Sequence, residues 1–173
     1  MLEQAGRISR SRTAQWRSSS LQVEPRRRRV FDAPRELVHR AFTDPDQVAQ
    51  WFGPVGYSVP RDTVDVDTRA GRCRRFTIVN DADPTETSPV NAIFTEVIEN
   101  ELLAGHEQFE MPGLQEPTLM SMQLEFDATG VHDEGEGNTR LVLRQGPDSI
   151  EMEPMAREGW RSSFTKLATL LAG

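Results

Sequence analysis

The stretch FDAPRELVHRAFTDPDQVAQWFGP, residues 31–54, sets the frame for the rest of the chain. Asp32-Ala33-Pro34 puts a hydrogen-bond acceptor and a proline at a helix start, where unpaired N–H groups and a fixed φ suit them. Leu37, Val38, Ala41 and Phe42 then recur at helical spacing up to Thr43, which predicts a short amphipathic helix. Asp44-Pro45 repeats the cap-plus-proline signature. Val48, Trp51 and Phe52 give a second short helix one apolar face, and Gly53-Pro54 ends it.

After Gly56 the apolar period changes from helical to alternating. Tyr57, Val59, Val64 and Val66 predict a strand interrupted or bent near Pro60. Ala70-Gly71 reads as a turn, and Cys73 to Val79 as the next strand. Asn80 to Pro89 is loop chemistry. Ala92 to Ile98 and Leu102 to Phe109 form a hairpin around Asn100. Leu119 to Phe126 alternates, with Met120, Met122, Leu124 and Phe126 on one face. A polar loop over 127–138 leads to a last strand, Thr139 to Arg144. The end of the chain is helical from about Pro154, with Trp160, Phe164, Leu167 and Leu171 on its apolar side and Gly159 where a neighbour packs closely. The expected fold class is α+β, a curved antiparallel sheet of about six to seven strands wrapped around a long C-terminal helix, and such a sheet leaves room for an internal cavity.

Upstream, residues 1–20 are rich in Arg and Ser and lack apolar periodicity, so they read as a basic, disordered arm before a domain over 21–173. Arg26 to Arg29 abut Val30-Phe31 and read as the polar part of a first strand. The chain of 173 residues carries a net charge of −7, distributed unevenly: residues 1–40 sum to +6 and residues 41–173 to −13. An acidic body of that kind repels phosphate backbones, so no nucleic-acid partner is expected. No stretch supplies the roughly 20 apolar residues of a membrane span. One cysteine, Cys73, excludes a disulfide framework, and His39, His106 and His132 share no metal-ligand spacing, so no metal is expected. Nineteen arginines against one lysine suggest a bacterial and cytoplasmic protein.

The strings Phe31 to Val38, Ala41 to Pro45 and Trp51-Phe52-Gly53-Pro54 resemble the opening motif of the SRPBCC superfamily, which includes START domains and the birch-pollen allergen. Arg69-Ala70-Gly71-Arg72, Glu158-Gly159-Trp160 and Leu167-Ala168 resemble the branch named for the activator of the ninety-kilodalton heat-shock protein ATPase. The likeness runs from about Val23 to the end. The turn is usually Gly-Gly in that branch, and Ala70 departs from it, as do the arginines of Arg72-Cys73-Arg74-Arg75-Phe76. The resemblance implies a helix-grip fold but points to no single function, since that fold hosts carriers, cyclases, hydrolases, receptors and co-chaperone-like domains. The reading adopted is a domain that binds a small, largely apolar molecule in its internal cavity, with no cofactor.

Candidate cavity residues are Trp51 at the mouth, Phe76, Phe94, Phe109, Met120 and Met122 on strands, and Trp160 and Phe164 one turn apart on the last helix. His39 is expected to be exposed. His106 is the one catalytic candidate, a general base or ligand anchor if its strand face lines the cavity and a surface histidine if it does not. Either Arg72 and Arg74 or Cys73 and Arg75 project inward from their strand. A buried arginine there needs a partner, which a ligand carboxylate, Glu96 or Glu107 could supply. Two rival readings follow: a co-chaperone-like domain that contacts a heat-shock ATPase, and an enzyme using His106, Glu96 or Glu107. A homodimer is compatible with each.

Overall fold

The computed structural model describes residues 22–23, 26–109, 118–131, 137–146, 148–149 and 152–173. In chain order the elements are β1 (Gln22–Val23), β2 (Arg26–Phe31), α1 (Arg35–Thr43), α2 (Pro45–Trp51), β3 (Tyr57–Ser58), a 3-10 turn (Arg61–Thr63), β4 (Asp65–Val66), β5 (Cys73–Asn80), β6 (Thr87–Ile98), β7 (Leu102–Phe109), β8 (Thr118–Val131), β9 (Gly137–Gly146), β10 (Asp148–Ser149) and α3 (Glu153–Leu171). The basic arm expected over residues 1–20, and His132, lie outside the described residues.

One antiparallel sheet runs β2-β9-β8-β7-β6-β5-β3, with β4 also paired to β5, and β1 pairs with β10 apart from it. It curls as a half-barrel around α3, the curved sheet around a terminal helix that the alternation pattern predicts and the helix-grip fold that the resemblance implies. Every second residue faces the core: Met120, Met122, Leu124 and Phe126 from β8, Leu141 and Leu143 from β9, Leu103 from β7, Phe76 from β5. Phe164 and Leu167 of α3 close the layer from the other side. A bulge between Phe94 and Glu96 breaks the register of β6 against β7. Next to it, Gly105 lies so close to β6 that a Cβ there would clash with the Ile93 carbonyl oxygen.

The two short helices fall where the cap-plus-proline signatures put them, with differences of detail. Asp44 caps α2, its carboxylate accepting from the Asp46 N–H at 2.9 Å. Asp32 does not cap α1; Pro34 takes that position, and no side chain there makes the capping bond. The buried face of α1 is Val38, His39, Ala41 and Phe42, and Leu37 is 46% exposed. At about 100° per residue, a stripe centred between Val38 and Phe42 leaves His39 and Ala41 equally flanking it and Leu37 outside. His39 is therefore buried, contrary to the expectation of an exposed ring. The stretch after Gly56 is bent harder than expected, into β3, the 3-10 turn and β4. Strand β6 reaches back to Thr87 and β8 forward to Val131, inside segments whose composition reads as loop.

Candidate functional site

A cavity of about 390 Å³ lies between the sheet and α3. Phe52, Gly53 and Pro54 from the end of α2 and Tyr57 from β3 line one side, and Met152, Met155, Ala156, Gly159, Trp160 and Ser163 line the helical wall. Ile78, Ser88, Val90, Glu107, Met120 and Gln145 come from five successive strands of the sheet, and Glu86 from the turn before β6. The wall is mostly apolar. Gly159 faces open space, since a Cβ added there meets nothing within 4 Å. The close neighbour expected beside this glycine is replaced by the cavity itself.

The loop that forms the rim is fixed to α3 by two polar bonds. The Val55 N–H donates to Ser162 Oγ at 2.8 Å, and Lys166 Nζ donates to the Tyr57 carbonyl at 2.9 Å. Burial pulls the Lys166 ammonium below its ordinary pKa, with Asp81 opposing. Gly53 and Gly56, at φ +91° and +88°, let the chain turn between α2 and β3.

A polar chain of four residues runs from the cavity wall, at Trp160, Gln145 and Glu107, to Arg74 behind it. Arg74 is fully buried on β5, and its Nη2 donates to Glu107 Oε2 on β7 at 2.8 Å. Phe52 and Phe76 stand beside the guanidinium, their ring centroids 5.4 and 5.3 Å from its carbon. Arg74 Nε and Nη1 find no hydrogen-bond partner among the described residues. Burial lowers the pKa of the guanidinium and Glu107 opposes the shift. Glu107 and Gln145, both 5% exposed, meet at 3.4 Å, and Trp160 Nε1 donates to Gln145 Oε1 at 2.7 Å. Indole is a donor only, so it fixes which end of the Gln145 amide is oxygen and turns the NH₂ towards Glu107.

The sequence leaves open which pair from Arg72-Cys73-Arg74-Arg75 turns inward; Arg74 does, and Arg72 and Arg75 are exposed. Its partner is Glu107, so no ligand carboxylate is needed to neutralise it. Of the expected cavity residues, Met120 and Trp160 line the cavity. Trp51 is fully buried instead of at the mouth, its indole N–H bonded to the Ala41 carbonyl at 2.8 Å and its ring 4.8 Å from Phe42. Phe76, Phe94 and Met122 are core residues outside the cavity lining, and Phe164 packs edge-on to Phe31 at 5.9 Å. Phe109 ends β7. His106 is exposed on the outer face of β7, because its neighbour Glu107 points inward and successive residues alternate. Glu96 is exposed as well. Gln145, which the sequence reading missed, carried a findable signal: it continues the inward alternation of Leu141 and Leu143.

A second cleft, of about 520 Å³, lies beyond Trp160 and is lined by Arg26 to Arg29, Glu153, Arg157, Arg161 and Phe164. Arg26 to Arg29 are strand residues, as their adjacency to Val30-Phe31 suggested. Among the described residues no group of three or more His, Cys, Asp or Glu could hold a metal ion. No described helix is long and apolar enough to cross a membrane.

The model of one protein family, described as Activator of Hsp90 ATPase homolog 1-like protein, matches residues 32–172. No curated protein matches the chain. Among solved structures, the AHSA1 protein of Silicibacter pomeroyi is 26% identical at a TM-score of 0.72, over 87% of this chain and 98% of that one. A protein of Chromobacterium violaceum is 26% identical at a TM-score of 0.69, over 86% and 96%. A Mycobacterium smegmatis protein, 21% identical over 84% and 88% with a TM-score of 0.65, shares the fold.

Proposed function

The chain belongs to the family of Activator of Hsp90 ATPase homolog 1-like proteins, and from that premise we propose that it binds a small, largely apolar molecule in the cavity between its sheet and α3. The observation that carries this reading is the cavity itself, about 390 Å³ and walled by Phe52, Ile78, Val90, Met120, Met155 and Trp160. Interiors are ordinarily packed to crystal-like density, and a volume of this size falls within the range of small-molecule sites. Methionines on both walls suit an adaptable contact surface. Catalysis by His106 has no support, since that ring faces away from the cavity.

Native mass spectrometry of protein isolated from its own host, followed by denaturing extraction, tests the proposal. A stoichiometric molecule released only on denaturation is the expected result. Protein without such a molecule that also fails to bind the apolar dye N-phenylnaphthylamine would overturn it. The family's description supplies a second reading, contact with a heat-shock ATPase. Recovery of such an ATPase with a ligand-free protein would favour that reading.

A further inference from the structure

We infer that the cavity selects ligands whose polar end is a neutral group able both to donate and to accept a hydrogen bond, such as an alcohol or a primary amide, and discriminates against carboxylates. This rests on the cavity being a ligand site. Among the described residues, the charged ones lining it are Glu86 and Glu107, with no cationic side chain. Arg74 is fully buried behind Glu107 and does not reach the surface of the cavity. A ligand carboxylate would thus meet the Glu107 carboxylate first and the balancing guanidinium only behind it.

The hydrogen-bond inventory narrows the head group further. Glu107 Oε2 is engaged by Arg74 at 2.8 Å, while Oε1 receives, among the described residues, only the long 3.4 Å contact from Gln145. Gln145 Oε1 is engaged by Trp160, which leaves its NH₂ with one N–H beyond that weak contact. The cavity floor therefore presents an under-used acceptor beside an under-used donor. A hydroxyl or primary amide complements both. A carboxylate offers no donor, and an ammonium offers no acceptor for Gln145 and faces Arg74 behind the pair.

Affinities of decanol, decanamide, decanoate and decylamine, measured by displacement of N-phenylnaphthylamine at neutral pH, separate head from chain, because the apolar part is constant. The two neutral ligands are expected to bind about tenfold or more tightly than either charged one, the scale of one lost charge-compensated contact. Equal affinities, or tighter binding of decanoate or decylamine, would overturn the inference while leaving the cavity a ligand site. Dye binding with no displacement by any decyl ligand would overturn it too, and absence of dye binding would sink the ligand-site reading beneath it. Glu107→Gln should move the preference towards decanoate by about tenfold, since it leaves the Arg74 charge uncompensated. Should that variant fail to fold, Gln145→Met removes the donor without touching the ion pair. Decanol and decanamide should then lose about tenfold more affinity than the dye; equal losses would count against the inference.

Discussion

Arg74 and Glu107 form an ion pair that only makes sense as a pair. Taking each charge out of water costs several kcal/mol, and their attraction offsets that cost only while both are present. Glu107→Ala is therefore expected to lower the unfolding free energy by about 3–5 kcal/mol, whereas Arg74→Met with Glu107→Leu should come within about 1 kcal/mol of the native chain or exceed it. Denaturant midpoints of the single and double variants check this, and a double variant as weak as the single one would refute it. His39 acts with opposite chemistry. It is 7% exposed, stands edge-on to Phe126 at 5.2 Å, and its Nε2 finds no hydrogen-bond partner among the described residues. Burial holds its imidazole below the ordinary pKa of 6.5, with Glu99 opposing. The unfolded chain accordingly takes up a proton that the native chain resists. Stability falls as pH drops below the unfolded value and levels off once the native ring is protonated. Thermal midpoints should decline as the pH falls through the ordinary value of 6.5, and His39→Phe should flatten that decline; parallel slopes would exclude His39 as the cause. Pleat parity explains why His106 and Glu107 could not be told apart beforehand. A shift of one residue exchanges inside for outside, and the run Leu102 to Phe109 mixes polar and apolar residues on both faces.

Whole elements were legible wherever one periodicity dominated. Strand β8 alternates cleanly through Phe126, and the repeated cap-plus-proline signature marks both short helices. Ends were less legible, because ladder partners outvote composition. Thr87 and Ser88 pair with Val79 and Ile78, which extends β6 into a segment of turn-forming residues. The two glycines Gly105 and Gly159 play opposite roles: the first was mute in the sequence, and the second read there as a point of close packing. Gly105 permits β6 and β7 to approach, so Gly105→Ala, whose Cβ would press on the Ile93 carbonyl, should cost about 1–3 kcal/mol or more. Gly159 lies in the interior of α3 with free space beside it. Gly159→Ala should therefore stabilise by about 0.5–1 kcal/mol, the helix-propensity difference. Chemical denaturation of both variants reads the two signs, and a destabilised Gly159→Ala would mean that the space is filled in solution.

On the scale of the whole molecule, the cavity gives up packing, and the proposed binding role is what would offset that loss. The volume beside α3 could have been closed by larger side chains at Ala156, Gly159 or Ser163, each of which lines it. Leaving it open forfeits contacts that dispersion and burial would otherwise supply, about 0.8 kcal/mol for each CH₂ removed from water. Sequence patterning reported that a sheet grips a helix, but not how much space lies between them, since alternation records which way a side chain points and nothing of what it meets. Ala156→Leu separates packing from binding. Leucine nearly matches alanine in helix propensity, so its effect reads the space it enters. The ligand-free variant should unfold at a higher temperature by the equivalent of about 1–2 kcal/mol, because the added methylenes replace solvent-accessible volume. A bound ligand at about a hundredfold excess over its dissociation constant should stabilise the native chain by about 2.7 kcal/mol, and the variant by much less, since its site is occupied by its own side chain. Differential scanning calorimetry of both chains, with and without N-phenylnaphthylamine, measures both effects together. A variant that gains stability and loses the dye shows that the same volume served both ends; one that keeps full dye affinity would place the ligand elsewhere and leave the cavity without its role.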